Sequence, residues 1–156
     1  MVNYQLNPEL DCRQLYDFIC QVDYDFPTPL SQKTDLHLFA EKLCLRADMV
    51  CATEGEELVG IIAGYLSNSI SDIGYASILV VRREYRGLGI GKKLMQEFLA
   101  AAEKSENLKA VDLYAQNENT AAINCYVALG FQKYCLQNEP RPDDLHLIKY
   151  LKGKEA

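Results

Sequence analysis

The sequence predicts an α/β (mixed α+β) fold: a single domain over residues 1–156, with a central mixed, mostly antiparallel sheet of about six to seven strands flanked by about four helices. Three observations carry this expectation. Apolar residues recur at helical spacing in four segments, and runs rich in Val, Ile and Leu fall between those segments. The 156 residues suit one hydrophobic core. There is no internal repeat, low-complexity tract or linker.

Taken in order, residues 4–6 suit a short first strand, and 10–22 a helix with apolar positions 12, 15, 16, 19, 20 and 22 on one side. Pro27 and Pro29 then break the helical pattern, because each lacks a donor and disfavours helix in the residue before it. Ser31 is placed to cap a second helix bearing Leu36, Phe39, Leu43 and Ala47 on one face. From there the period shortens. Residues 49–53 and 58–65 read as a hairpin across Glu54-Gly55-Glu56-Glu57, followed by a polar turn at 68–72 and a strand at 75–81. A glycine-rich loop leads into a helix with Ile90, Leu94, Phe98 and Ala101/Ala102 inward, and 111–115 is the next strand. Residues 120–129 read as a helix with Asn119 as N-cap and Gly130 just past its end; 131–136 and 145–151 form a closing antiparallel pair.

Composition excludes several classes. The formal net charge of −6 argues against a nucleic-acid backbone as partner and is compatible with an amine substrate. No stretch approaches the roughly 18 apolar residues of a membrane span, and the opening residues lack the parts of a signal peptide, so a cytoplasmic protein without a membrane partner is expected. The six cysteines contain no C-x-x-C pair and sit in apolar-periodic segments, so they read as reduced core residues. The two histidines, His37 and His146, are too far apart and too poorly accompanied to suggest a metal.

The most informative segment is Arg86-Gly87-Leu88-Gly89-Ile90-Gly91-Lys92, between a strand and a helix. A helix N-terminus has backbone N–H groups without partners and a partial positive charge, and glycines let an anion approach them closely. The dinucleotide fingerprint is excluded because Lys92 and Leu94 stand where its third glycine would fall, and the P-loop because Arg86 and Lys93 stand where it needs glycine and Ser or Thr. The remaining pattern, R-G-x-G-x-G after the apolar strand 79–81, resembles the acetyl-CoA signature of the GNAT N-acetyltransferase superfamily. Asn119-x-x-Ala122-x-x-x-Tyr126-x-x-x-Gly130-Phe131 is similar to that family's second motif, and the resemblance covers about residues 48–136.

The resemblance implies a single GNAT-like domain that takes acetyl-CoA as co-substrate, uses no metal, and transfers acetyl to a primary amine by direct attack in a ternary complex. It implies cofactor contacts from Leu79, Val80, Val81, Arg86, Gly87, Leu88, Gly89, Ile90, Gly91, Lys92 and Asn119, with the Val81 N–H polarising the thioester carbonyl. It makes Tyr126 the general acid for the departing thiolate, although a helical tyrosine is equally a common core aromatic. Arg83 replaces the family's usual proline.

The general base is not evident. Relatives often carry a glutamate where this chain has Ser77, Ile78 or Tyr114. Asp112, on the same strand face as Tyr114, or a water chain held by Ser77 and Tyr114 would have to serve; Glu84 reads as a surface residue. On the acceptor side, Asp23, Tyr24 and Asp25, with Phe26, put two carboxylates and two rings in one turn, suited to a cation. The acceptor is a small-molecule or peptide amine, and the expected assembly a monomer or homodimer. The alternative is a non-catalytic acyl-CoA-binding or regulatory domain that keeps the loop and lacks a base.

Overall fold

The computed structural model describes residues 1–67 and 71–152, so positions 68–70 of the expected polar turn lie outside the described residues. The chain runs β1 (Val2–Leu6), α1 (Cys12–Val22), α2 (Leu36–Arg46), β2 (Asp48–Glu54), β3 (Glu57–Tyr65), β4 (Ile73–Val81), α3 (Ile90–Glu103), β5 (Ala110–Ala115), α4 (Thr120–Ala128), β6 (Gln132–Lys133) and β7 (Leu145–Tyr150). The seven strands form one sheet in the order β1-β2-β3-β4-β5-β7-β6. Neighbours are antiparallel except β4 and β5, whose parallel pairing requires the long crossover that α3 supplies.

Each face of the sheet has its own core. Leu15, Phe18 and Ile19 of α1 and Leu43 of α2 pack on Met49, Cys51, Ile61, Ile78 and Val80. On the other face Leu94, Met95 and Phe98 of α3 pack on Val50, Ala52, Val59 and Ile62, and this core continues to Tyr126 and Phe131. Because β3 is covered on both faces, its sequence is a continuous apolar run and does not alternate.

The sheet opens where β4 passes β5. Their parallel ladder begins at Ile73–Ala110 and ends at Ala76–Leu113, while β4 continues to Val81 and β5 to Ala115. At the same level the register of β3 on β4 jumps from Ala63–Ile78 to Gly64–Ala76, leaving Ser77 as the extra residue of a bulge. A bulge bends its strand and re-aims side chains, and this one turns β4 away from β5. Gly64 is required beside it, since a Cβ there would collide with the Tyr75 carbonyl and crowd the Phe98 ring.

Three expectations are corrected. Asp35, not Ser31, caps α2, its carboxylate accepting from the Leu38 N–H at 3.1 Å; Ser31 lies in a separate turn and gives its own N–H to Asp23. Strand β6 has two residues instead of six, because the Leu136 N–H donates to the Glu139 carboxylate and the chain leaves the sheet edge. The cysteines are not all reduced core residues. Cys12 and Cys44, brought to 5.7 Å between Cα atoms by the antiparallel packing of α1 on α2, form a disulfide, and Cys135 is exposed. Among the described residues no helix is long and apolar enough to cross a membrane.

Candidate active site

The gap between β4 and β5 has two mouths. On one side a cavity of about 280 Å³ is lined by Leu79, Val80, Val81, Arg86, Gly87, Gly89, Ile90, Gly91 and Asn119. Of the expected cofactor residues only Leu88 and Lys92 are absent from this lining, and Leu88 projects into solvent. Gly87 and Gly89 have φ of 78° and 82°, a left-handed backbone that disfavours any side chain, although a Cβ at either would meet nothing within 4 Å. Gly89 is the N-cap of α3 and offers no side chain to its first N–H groups, which leaves them available to an anion.

The strand edge contributes as well. The Arg82 N–H donates to Val59 O on β3, so by antiparallel alternation the backbone groups of Val81 and Leu79 point the other way, into the gap. Arg86 Nε donates to the Val81 carbonyl at 3.0 Å.

Tyr126, on α4, lies between the mouths and borders both the cofactor cavity and a chamber of about 80 Å³ that also touches Ser77 and Tyr114. Asn119 fixes the start of that helix by accepting from the Ala122 N–H at 3.4 Å. Tyr126 is 7% exposed and has no hydrogen-bonding partner among the described residues; since no buried side-chain oxygen or nitrogen among them lacks a partner, its hydroxyl opens into the gap. Burial, with the neighbouring Cys125, pushes the phenol above its ordinary value, so it stays protonated near neutrality.

Beyond the chamber lies an open groove of about 660 Å³ between the α1–α2 connection and the β6–β7 segment. Thr28 is tied to the end of β5 by Gln116, which accepts from the Thr28 N–H at 2.7 Å and donates to its carbonyl at 3.2 Å. On the opposite wall Arg141 sits 5.2 Å over the Tyr114 ring, donates to the Tyr75 hydroxyl at 3.3 Å and pairs with Asp144 at 2.7 Å. Beneath this wall the Tyr114 hydroxyl donates to Glu139 at 2.7 Å, and His146 is held between Glu139 and Asp112. Burial raises the Asp112 carboxyl even against the hydrogen bond and charge of His146.

The acidic turn does not face the groove as expected. Asp23 is buried and its carboxylate accepts from the Ser31 N–H at 3.0 Å, a connection within the loop. Asp25 borders the glycine-loop cavity and pairs with Arg83 at 2.9 Å and Arg86 at 3.1 Å, so the two arginines leading into the glycines are bound to it. Tyr24 is 79% exposed. Ser77 and Tyr114 do border the chamber. Gln116, Glu139, Arg141 and the setting of His146 were not foreseen, because the contacts that bring them to the site, with Thr28, Tyr114, Tyr75 and Asp112 respectively, cross 25 to 88 residues of sequence.

The site is thus a split mixed sheet with an uncapped helix start at one mouth, an open groove at the other and a phenol between them. The sequence profile of the acetyltransferase (GNAT) family matches residues 12–131, and the chain belongs to that family. It is similar to the mycothiol acetyltransferase of Rothia mucilaginosa (36% identical over 46% of this chain and 22% of that protein) and to N-alpha-acetyltransferase daf-31 of Caenorhabditis elegans (31%, over 46% and 42%). N-alpha-acetyltransferase 30 of Schizosaccharomyces pombe is 38% identical over 39% of this chain and 40% of its own. The chain therefore matches less than half the length of each of these relatives. Among solved structures, a GNAT-family acetyltransferase from Staphylococcus aureus Mu50 superposes with a TM-score of 0.74 at 19% identity, over 97% of this chain and all of that one. The NatC complex bound to Gag peptide and CoA superposes at 0.71 with 23% identity, over 97% and 99%.

Proposed function

We propose that this protein transfers the acetyl group of acetyl-CoA to the α-amino group of a peptide, by direct attack in a ternary complex. The observation that carries this reading is the Tyr126 hydroxyl, opening without a protein partner into the gap between the glycine-loop mouth and the acceptor groove. Acetyl-CoA supplies an activated acetyl thioester. The unpaired N–H groups at the start of α3 suit its pyrophosphate, and the free edge of β4 suits its amide-bearing arm. The Val81 N–H, turned into the gap, is the donor for the thioester carbonyl. Tyr126 gives a proton to the departing sulfur.

The same geometry bears on the acceptor. Among the residues bordering the chamber no carboxylate is present: Asp112 and Glu139 are engaged with His146, Asp25 with two arginines and Asp144 with Arg141, while Glu118 and Asp143 line only the outer groove and are exposed. A lysine ammonium costs roughly 4 kcal/mol to deprotonate at neutral pH, whereas an α-amino group costs only about 1 kcal/mol. A chamber without a free base therefore favours the α-amino group, whose proton leaves by water past Ser77 and Tyr114. An open groove between two chain segments suits an extended acceptor, and relatives named N-alpha-acetyltransferase support that choice.

The test is CoA-thiol release from acetyl-CoA over a panel of peptides with free and blocked N-termini, alongside small amines. Turnover confined to free N-termini is expected; turnover only on small amines would overturn the peptide assignment.

A further inference from the structure

His146 has a side chain only 4% exposed, with Nε2 2.7 Å from Asp112 Oδ2 and Nδ1 2.8 Å from Glu139 Oε2. A neutral imidazole has one N–H and one lone pair. With both nitrogens against carboxylate oxygens, two hydrogens must be shared among the three groups, because a lone pair facing an ionised carboxylate at this distance is repulsive. Glu139 also accepts from the Tyr114 hydroxyl and from the Leu136 N–H at 2.9 Å. Burial alone would raise its carboxyl, but these hydrogen bonds and the one with His146 hold it at about 2, so Glu139 is the ionised member. The second hydrogen therefore belongs to the contact between Nε2 and Asp112.

Glu139 lies within the segment that joins β6 to β7; its hydrogen bonds with Tyr114 and His146 tie that segment down to β5 and β7, and the one from the Leu136 N–H folds the segment on itself. Two residues on, Arg141 covers Tyr114, reaches Tyr75 and forms part of the groove wall. On the reading proposed above, we infer that Asp112, His146 and Glu139 form a proton-dependent latch that holds residues 134–144 as the acceptor wall. They are positioning residues for the amine substrate and not for acetyl-CoA. The groups against the ring are Asp112 and Tyr114 from β5 and Tyr134 and Glu139 from the segment itself; Tyr75 of β4 and the Arg141–Asp144 pair lie one contact further out, on the Tyr114 ring. Loss of the shared hydrogen as pH rises places a lone pair against a carboxylate at Nε2, and the Asp112 side of the latch repels.

Asp112→Asn provides the sharp test, since an amide N–H can donate to Nε2 of a neutral ring and needs no titrating hydrogen. The ratio of wild-type to Asp112→Asn amine KM, which cancels the substrate's own ionisation, is expected to rise roughly fivefold or more from neutral to alkaline pH. Glu139→Ala is expected to raise the amine KM roughly tenfold while the acetyl-CoA KM stays within about twofold, and Glu139→Gln to restore part of the loss. Two readouts need no activity: ¹⁵N resonances of the His146 ring, expected to report both nitrogens hydrogen-bonded at neutral pH, and amide exchange at Leu136, expected to accelerate in Glu139→Ala. A flat KM ratio, or equal amine KM in wild type and Glu139→Ala, overturns the latch. If Glu139→Ala fails to fold, the Asp112→Asn ratio and the ring resonances decide. If no amine is turned over, the proposed activity fails while resonances and exchange still judge the latch.

Discussion

The two mouths of the gap are built on opposite plans. The glycine-loop mouth comes mainly from one continuous strand, loop and helix start, closed by Asp25, Phe26 and one side of α4, and it presents backbone N–H groups. The acceptor groove is assembled from the α1–α2 connection, the end of β5 and the β6–β7 segment, joined by side chains such as Gln116, Glu139 and Arg141. A backbone site depends on conformation, so it fails when a φ angle is disturbed and tolerates most other changes. A side-chain site depends on individual hydrogen bonds across distant segments, so single substitutions can shift a whole wall. Variants at the two mouths should therefore separate cleanly in their effects.

The largest effect is expected at the residue the mouths share. Tyr126→Phe should lower kcat by about 10²–10⁴ while acetyl-CoA affinity, measured by titration calorimetry, stays within about threefold. Equal loss of binding and stability would make Tyr126 a core aromatic and remove the link between the mouths.

The acceptor side rests on two helices clamped together. The Cys12–Cys44 bridge closes a 32-residue separation that contains the groove-lining connection. Its reduction should cost about 2–4 kcal/mol in a urea titration with and without reductant. It should also disturb the amine KM more than that for acetyl-CoA. Equal disturbance of both would mean the mouths are not independent.

On the cofactor side, Gly89 and Gly91 provide an internal contrast. Gly89→Asp must adopt a φ of 82° and puts a negative charge at the start of α3, so acetyl-CoA affinity should fall at least about tenfold. At Gly91 no left-handed backbone is required, and an added Cβ would sit 3.8 Å from a Val81 methyl, an ordinary contact. Gly91→Ala should change the dissociation constant by less than about threefold. Similar losses at both positions would mean that the cavity selects by space and not by conformation.

The smallest effect concerns pH. Glu139 is lowered from an ordinary 4.5 to about 2 in the folded protein, so its ionised form stabilises the fold above the ordinary value and that contribution is lost as pH falls toward 2. The stability difference between wild type and Glu139→Gln, read from unfolding midpoints, should shrink across that window. A constant difference would mean that the carboxylate is not tied to the loop through its charge.

The contrast also explains what the sequence could reveal. Strand, loop and helix start are contiguous between 79 and 92, so glycine spacing and periodicity marked out an anion-binding turn there, while its assignment to a cofactor and the choice of Asn119 and Tyr126 came from the resemblance to the family's two motifs. The element order was legible for the same reason, each helix and strand having its own period. The acceptor groove was not. Asp23 and Asp25 stand together in sequence as a cation site, yet the fold commits one to a loop N–H and the other to Arg83 and Arg86. His146 lies far from Asp112 in sequence and meets it only because β7 inserts beside β5. Cys12 and Cys44 likewise meet only through the packing of α1 on α2.

The central claim, that the gap joins acetyl-CoA to an α-amino group, is most directly tested by where the acetyl group goes. The chain would be incubated with acetyl-CoA and a peptide bearing a free N-terminus and an internal lysine, and the product mapped by tandem mass spectrometry. Acetylation of the N-terminal nitrogen is expected, with the lysine left free. Acetyl transfer to the lysine alone would contradict the argument from a chamber without a free base, and tight acetyl-CoA binding with no transfer to any amine would make the domain a non-catalytic acyl-CoA binder.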